Sequence, residues 1–185
     1  ENVARVKLSD NSNQNLTDVL QDQVGVEAQT YCANCGAKRL TINGLKGEHT
    51  SILVDGLPLH SAVSSFYGVE NIPITSLKDI QVMRGTGASL TNPEAIGGTL
   101  NLITHDPLNF ESTLGLLYGV NDELEGKSNN AQFMAGYTSE ERKWGFYVAG
   151  QMARTDTWDI DQNNVSEIPQ REMKNIMSKA RLLYK

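Results

Sequence analysis

From Leu108 onward the chain alternates apolar and polar residues with a period of two, which predicts β-strands with two unlike faces. A first strand sets Phe110, Ser112, Leu114, Leu116, Tyr118 and Val120 on one face, with Glu111, Thr113, Gly115, Gly119 and Asn121 opposite. A second sets Ala131, Phe133, Ala135 and Tyr137 against Gln132 and Gly136. A third sets Trp144, Phe146, Val148 and Met152 against Gly145, Tyr147 and Gln151. A fourth sets Ile176, Ser178, Ala180, Leu182 and Tyr184 against Asn175, Lys179 and Arg181. The connection 139–143 is short, whereas 122–129 and 156–172 are longer and polar.

Residues 1–107 follow a different pattern. Leu16, Val19 and Leu20 recur at helical spacing behind Asn13 or Asn15, either of which suits a helix N-cap. Gly25 ends that helix, and strands follow at 26–30, around Leu40 and Ile42, and at 51–54. Asp55-Gly56 turns the last of these back into Leu57-Pro58-Leu59, since a tight primed turn needs positive φ at both central residues. A helix over 64–69, a helical turn over 75–78 and strands at 79–83 and 99–104 complete an α/β pattern. The boundary falls at His105-Asp106-Pro107, which divides the chain into domains 1–107 and 108–185.

The net charge of −6 argues against a nucleic-acid partner, which requires an excess of cations. No apolar run approaches the ~18–20 residues of a membrane-spanning helix, but a transmembrane β-barrel needs only alternation. Phe110, Tyr137, Trp144 and Tyr184 lie near strand ends, where a membrane-interface girdle would hold them. A soluble β-sandwich with one wet face is the other reading of the same pattern. The two cysteines are too few for a disulfide scaffold. No signal peptide opens the chain, so either a leader has been removed or the protein is cytoplasmic.

Four stretches bear on that choice. They are Leu16-Thr17-Asp18-Val19-Leu20 with Val24-Gly25-Val26; Ser51-Ile52-Leu53-Val54-Asp55-Gly56-Leu57-Pro58-Leu59; Ile80-Gln81-Val82-Met83-Arg84-Gly85; and Ala95-Ile96-Gly97-Gly98 running into Thr99-Leu100-Asn101-Leu102-Ile103-Thr104. In order and spacing, the first half resembles the plug domain of TonB-dependent outer-membrane receptors. Asn43-Gly44 stands where that family usually has Arg-Gly. The resemblance implies an α/β plug domain, a small mixed sheet with short helices, followed by antiparallel strands of a transmembrane β-barrel. Four strands leave the barrel incomplete, since the smallest have ~8 and plugged transporters ~22. The chain is therefore expected to be a fragment or one piece of a split receptor.

The resemblance further implies a protein of the bacterial outer membrane, with the plug inside the barrel lumen, that imports a scarce ligand such as a siderophore, a metal chelate or cobalamin. Its partners would be outer-membrane lipid, the small-molecule ligand and the TonB complex of the inner membrane, reached through a segment upstream of Glu1. It would be no enzyme and would require no cofactor; no Ser/His/Asp or Cys/His constellation has supporting context. A receptor that binds or signals without transport, and a soluble β-rich binding module, are the alternatives.

In the family's layout the ligand meets the plug at its apical loops. These hold Tyr31, Cys32, Asn34, Cys35 and Lys38 in one segment and His60, Ser61, Ser64, Ser65, Phe66 and Tyr67 in another. The resemblance makes Arg84 the candidate for the family's plug–barrel ion pair, set against the reading of a surface arginine that ends a strand. Cys32 and Cys35 admit a local disulfide, a soft-metal site completed by His60, a redox pair, or free thiols. Asp159, Asp161, Asn163 and Glu167 resemble the start of a calcium loop, set against the reading of a solvated acidic loop. His49 and His105 read as structural.

Overall fold

The computed structural model describes residues 3–6, 16–21, 23–30, 38–45, 49–59, 69, 71–85, 95–109, 114–121, 128–156, 159, 161–164 and 171–183. Strand β1 (Val3–Val6) precedes helix α1 (Leu16–Gln21), whose Leu16, Val19 and Leu20 are all buried, as spacing at i, i+3 and i+4 requires. After the turn at Gly25, β2 (Val26–Thr30) pairs antiparallel with β3 (Lys38–Ile42). The chain then forms β4 (Thr50–Val54), β5 (Leu57–Pro58), β6 (Leu77–Arg84) and β7 (Gly98–Thr104). These join β1 in a five-stranded sheet of order β1-β6-β7-β4-β5, mixed because β4 and β7 run parallel. Ile80, Val82, Leu100 and Leu102 alternate along its central strands and are almost wholly buried against α1, β2 and β3.

The helical turn expected over 75–78 is a 3-10 turn at Ile74–Ser76, and Leu77 already belongs to β6. The Ser76 hydroxyl closes that turn on the Pro73 carbonyl at 2.6 Å. Leu77 is 2% exposed opposite Thr104, so sheet burial takes it from the helix. β1 had no counterpart in the sequence reading: its four residues are ordered by their pairing with β6. The departure at Asn43-Gly44 has a backbone cause. Their φ values of 57° and 72° close β3 in a left-handed turn that Asn and Gly tolerate best. Of the helix expected over 64–69, only the buried Val69 lies among the described residues.

A 3-10 turn, Pro107–Asn109, leads from β7 toward a second sheet. This contains β8 (Leu114–Asn121), β9 (Ser128–Thr138), β10 (Trp144–Thr155) and β11 (Arg171–Leu182), each antiparallel to the next. Of the first expected strand, Leu114–Asn121 are described, and residues 110–113 lie outside the described residues. The fourth begins at Arg171, ahead of the expected Ile176, within what read as a polar loop. Glu172 and Lys174 disguise its first turns, but they lie on one face and pair with each other at 2.6 Å. β10 and β11 are 12 residues long. That length exceeds the ~9–11 residues a tilted strand needs to cross a membrane.

The two faces of this sheet are inverted relative to a soluble protein. Trp144 at 44%, Phe146 at 44%, Met152 at 54%, Ile176 at 78% and Leu182 at 72% exposure make one face apolar and open. Asn130, Gln132, Tyr147 and Gln151 lie on the other face, all at 5% exposure or less. A sandwich in water buries the apolar face and wets the polar one. The soluble alternative fails on this arrangement. Among the described residues no helix is long and apolar enough to cross a membrane.

Candidate functional site between the two sheets

The sheets meet where β7 ends. The Thr138 hydroxyl donates to the Pro107 carbonyl at 2.6 Å, and Leu108 is buried beside it. Gly145 faces the same carbonyl so closely that a Cβ there would lie 2.1 Å from the oxygen. A side chain at 145 would therefore push the connector off β10. Met177 of β11 reaches from the second sheet to the core of the first.

Two carboxylates of the N-terminal domain meet two cations of β11, and both are held in the same way. Asp55 accepts the Thr104 amide on Oδ1 at 2.9 Å and presents Oδ2 to Lys179 Nζ, also at 2.9 Å. Asp106 accepts the Leu108 amide on Oδ1 at 3.0 Å and presents Oδ2 to Arg181 at 2.7 Å. One oxygen is thus fixed by a backbone N–H of the N-terminal domain, distant in sequence for Asp55 and local for Asp106, and the other is aimed at the facing strand. Thr104 Oγ1 completes the first cluster: it donates to Asp55 at 2.7 Å and accepts from Lys179 at 2.7 Å. The left-handed Asp55-Gly56 turn, φ 51° and 81°, is what places the Asp55 carboxylate at the hairpin tip.

Partial burial pushes the Asp55 carboxyl up, but hydrogen bonds from Lys179 and Thr104, with the Lys179 charge, outweigh it and leave its pKa below the ordinary value. His105, next to Asp106, is shifted down by burial and by the nearby Lys78 charge, against a backbone hydrogen bond with Leu77. Further along the inner face of the second sheet, Gln151 Nε2 donates to Asn130 Oδ1 at 3.3 Å, beside Gln132. These amides form a polar lining facing the first domain.

Arg84, expected at a plug–barrel ion pair, donates to the Val24 carbonyl and so braces the turn after α1 within its own domain. Among the described residues, the ion pairs that join the two sheets place the cation on the second sheet. Lys38 opens β3 opposite Thr30. Tyr31, Cys32, Asn34, Cys35, His60, Ser61, Ser64, Ser65, Phe66 and Tyr67 lie outside the described residues, as does Glu167. Both Asp159 oxygens accept backbone amides of its own loop, from Asn163 at 3.2 Å and Asn164 at 2.8 Å, and Asp161 accepts from Asn163 at 3.2 Å. Asp55, Asp106, Lys179 and Arg181 were not singled out in the sequence as a contact. The available signal was a pair of cations, two residues apart, on the polar face of a strand whose other face is apolar.

The family model for the TonB-dependent receptor plug domain matches residues 1–99. The vitamin B12 transporter BtuB of Vibrio vulnificus is 26% identical over 140 residues, which cover 71% of this chain and 22% of that protein. The crystal structure of the siderophore receptor PirA from Acinetobacter baumannii superposes with a TM-score of 0.66 at 25% identity, covering 88% of this chain and 26% of that one. A ferric enterobactin receptor, PfeA, from Pseudomonas aeruginosa gives the same score, identity and coverage. The chain spans about a quarter of the length of these relatives. A mixed sheet with few helices, tied to an antiparallel sheet that is apolar outside and polar inside, agrees with the family match: the chain belongs to the TonB-dependent receptors, its first half the plug domain and its last four strands part of the barrel wall.

Proposed function

We propose that this chain supplies the plug and part of the wall of an outer-membrane receptor that imports a scarce ligand, a siderophore, metal chelate, cobalamin or similar compound, with energy from the TonB complex. The observation that carries the reading is the inverted second sheet: an open apolar face suited to lipid, and a polar face turned to a folded plug. A barrel of ~22 strands is wide enough to leak and needs a stopper. Hydrated and charged contacts with the wall suit a stopper that must move, because each costs little to exchange for water. Relatives named as vitamin B12 and siderophore receptors support these ligand classes.

The test uses the native full-length protein in its own outer membrane. Cells lacking the gene, and complemented cells, are compared for uptake of labelled cobalamin and of ferric siderophores, with and without a functional TonB complex. Uptake that needs both the gene and TonB is the expected result. Ligand binding without TonB-dependent uptake would overturn transport and favour a receptor that only binds or signals.

A further inference from the structure

The outward face of the wall changes character along its length. At the end beside the connector and the short turn 139–143, Trp144 stacks against Phe146 with ring centroids 6.4 Å apart and lies 5.3 Å from the Tyr137 ring. Such an aromatic cluster marks a membrane interface. Arg154 lies on the same face, ten residues further along β10. At ~3.3 Å per residue and a tilt of ~40°, that distance spans about 25 Å, the height of the apolar band of such a wall. Arg154 therefore sits at the opposite interface, beside the long connections, which in outer-membrane barrels face the exterior. There Asn129, Arg154 and Glu172 form one cross-strand row, and Ala131, Met152 and Lys174 form the row beneath it. These residues are among those that line a depression of about 220 Å³, apolar at Ala131 and Met152 and charged at its rim.

We propose that Arg154 and Lys174 form a docking site for the phosphate of an outer-leaflet lipid, whose acyl chain runs down over Met152 and Ala131. The two cations hold diagonal positions on neighbouring strands, ~7–8 Å apart at the backbone, a gap that a phosphate group bridges. Both are open to a ligand, with side chains 70% and 65% exposed. Asp156 takes only the Nε of Arg154, at 3.0 Å, and among the described residues neither Nη group makes a hydrogen bond. The guanidinium thus keeps a planar fork of donors, the geometry that matches phosphate oxygens. Lys174 gives one donor to Glu172 at 2.6 Å and keeps the rest of its ammonium. Asp156 and Glu172 balance the two cations, so the site selects by directed donors and not by bulk charge. A soluble anion gains nothing from the apolar floor, whereas a lipid phosphate brings its own chain to it. The occupant is a lipid because the charged rim lies at headgroup depth, directly above the open apolar rows of Met152 and Ile176.

The inference rests on the second sheet being a lipid-facing wall, and its test needs no transport. The native full-length receptor is reconstituted in phosphatidylcholine vesicles that contain a minor share of phosphatidic acid. A photoreactive benzophenone side chain replaces Met152 in one preparation and Phe146 in another, and the crosslinked lipids are identified. The preference for phosphatidic acid over phosphatidylcholine is expected to be about tenfold higher at Met152 than at Phe146, as two cations at headgroup depth imply. Arg154→Gln combined with Lys174→Gln is expected to bring the Met152 preference down to that at Phe146. Lys174→Arg keeps the charge and is expected to stay within about twofold of the parent. Equal preferences at Met152 and Phe146 in the parent protein would overturn the site, and that comparison needs no charge variant to fold. A preference abolished by added inorganic phosphate would mark a soluble-anion site and overturn it too. So would crosslinks in isolated outer membranes that run from Met152 to a protein. Absence of lipid crosslinks at both positions would overturn the site together with the wall. A receptor that shows the preference but takes up no ligand would leave the lipid site standing and remove the transport reading.

Discussion

Gly145 sets how closely the connector lies against the wall, because its missing Cβ is the space that the Pro107 carbonyl occupies. Gly145→Val is expected to lower the stability of the assembled protein by about 1–3 kcal/mol, the usual cost of overpacking, read as a lower urea midpoint. Two titrating groups act at the same scale. The pKa values of Asp55 and His105 both fall on folding, so in each case the unfolded chain binds more protons as the medium is acidified and stability declines with falling pH. The windows are separate. The His105 contribution begins to fade as the pH drops through about 6.5, its ordinary value, and the Asp55 contribution only below about 3.8. In urea midpoints followed across pH, His105→Asn is expected to flatten the upper limb and Asp55→Asn the lower one.

Strands β9, β10 and β11 owe their recognisability to a period of two that runs unbroken through Phe133, Trp144, Phe146 and Ile176. Where charge interrupts the apolar face, as at Glu172 and Lys174, the pattern hides strand residues until the pairing with β10 reveals them. The same dependence on a partner explains β1 and Leu77, each ordered by a neighbouring strand. The outward alternation makes a depth-dependent prediction. Ile176 lies mid-strand on the open face, and Leu182 lies at the strand end beside the short turn. Ile176→Lys is expected to cost about 2–4 kcal/mol of membrane assembly, and Leu182→Lys about 0–1 kcal/mol. The folded fraction in isolated outer membranes, read from heat-modifiable gel mobility, checks this; equal losses at both sites would contradict a lipid-facing wall.

Across the whole molecule, the order β1-β6-β7-β4-β5 brings the end of β7 and the β4–β5 tip to one place, against β10 and β11. Two plug carboxylates then face two wall cations, one of the carboxylates, Asp106, belonging to the connector itself. A plug held this way is fixed at one edge by charge and by covalent continuity. Its core is separately held by apolar packing of α1 on the sheet, with Met177 as the wall's contribution. Docking therefore combines charge at one edge with the apolar contact of Met177 on the plug core.

The alternation in the second half, the helical spacing of Leu16, Val19 and Leu20, and the Asp55-Gly56 turn were legible in the chain because each is a local rule about neighbours within a few residues. Four ordered plug-like stretches carried the family in the same way, and the comparisons agree with it. The docking contacts were not legible. Lys179 meets Asp55 across 124 residues, and Arg84, which resembles a docking arginine, donates to the Val24 carbonyl among the described residues. Nothing in a strand's own residues says which carboxylate will face it. That is decided by strand order and by a connector short enough to bring β7 against the wall, and only the folded chain contains either.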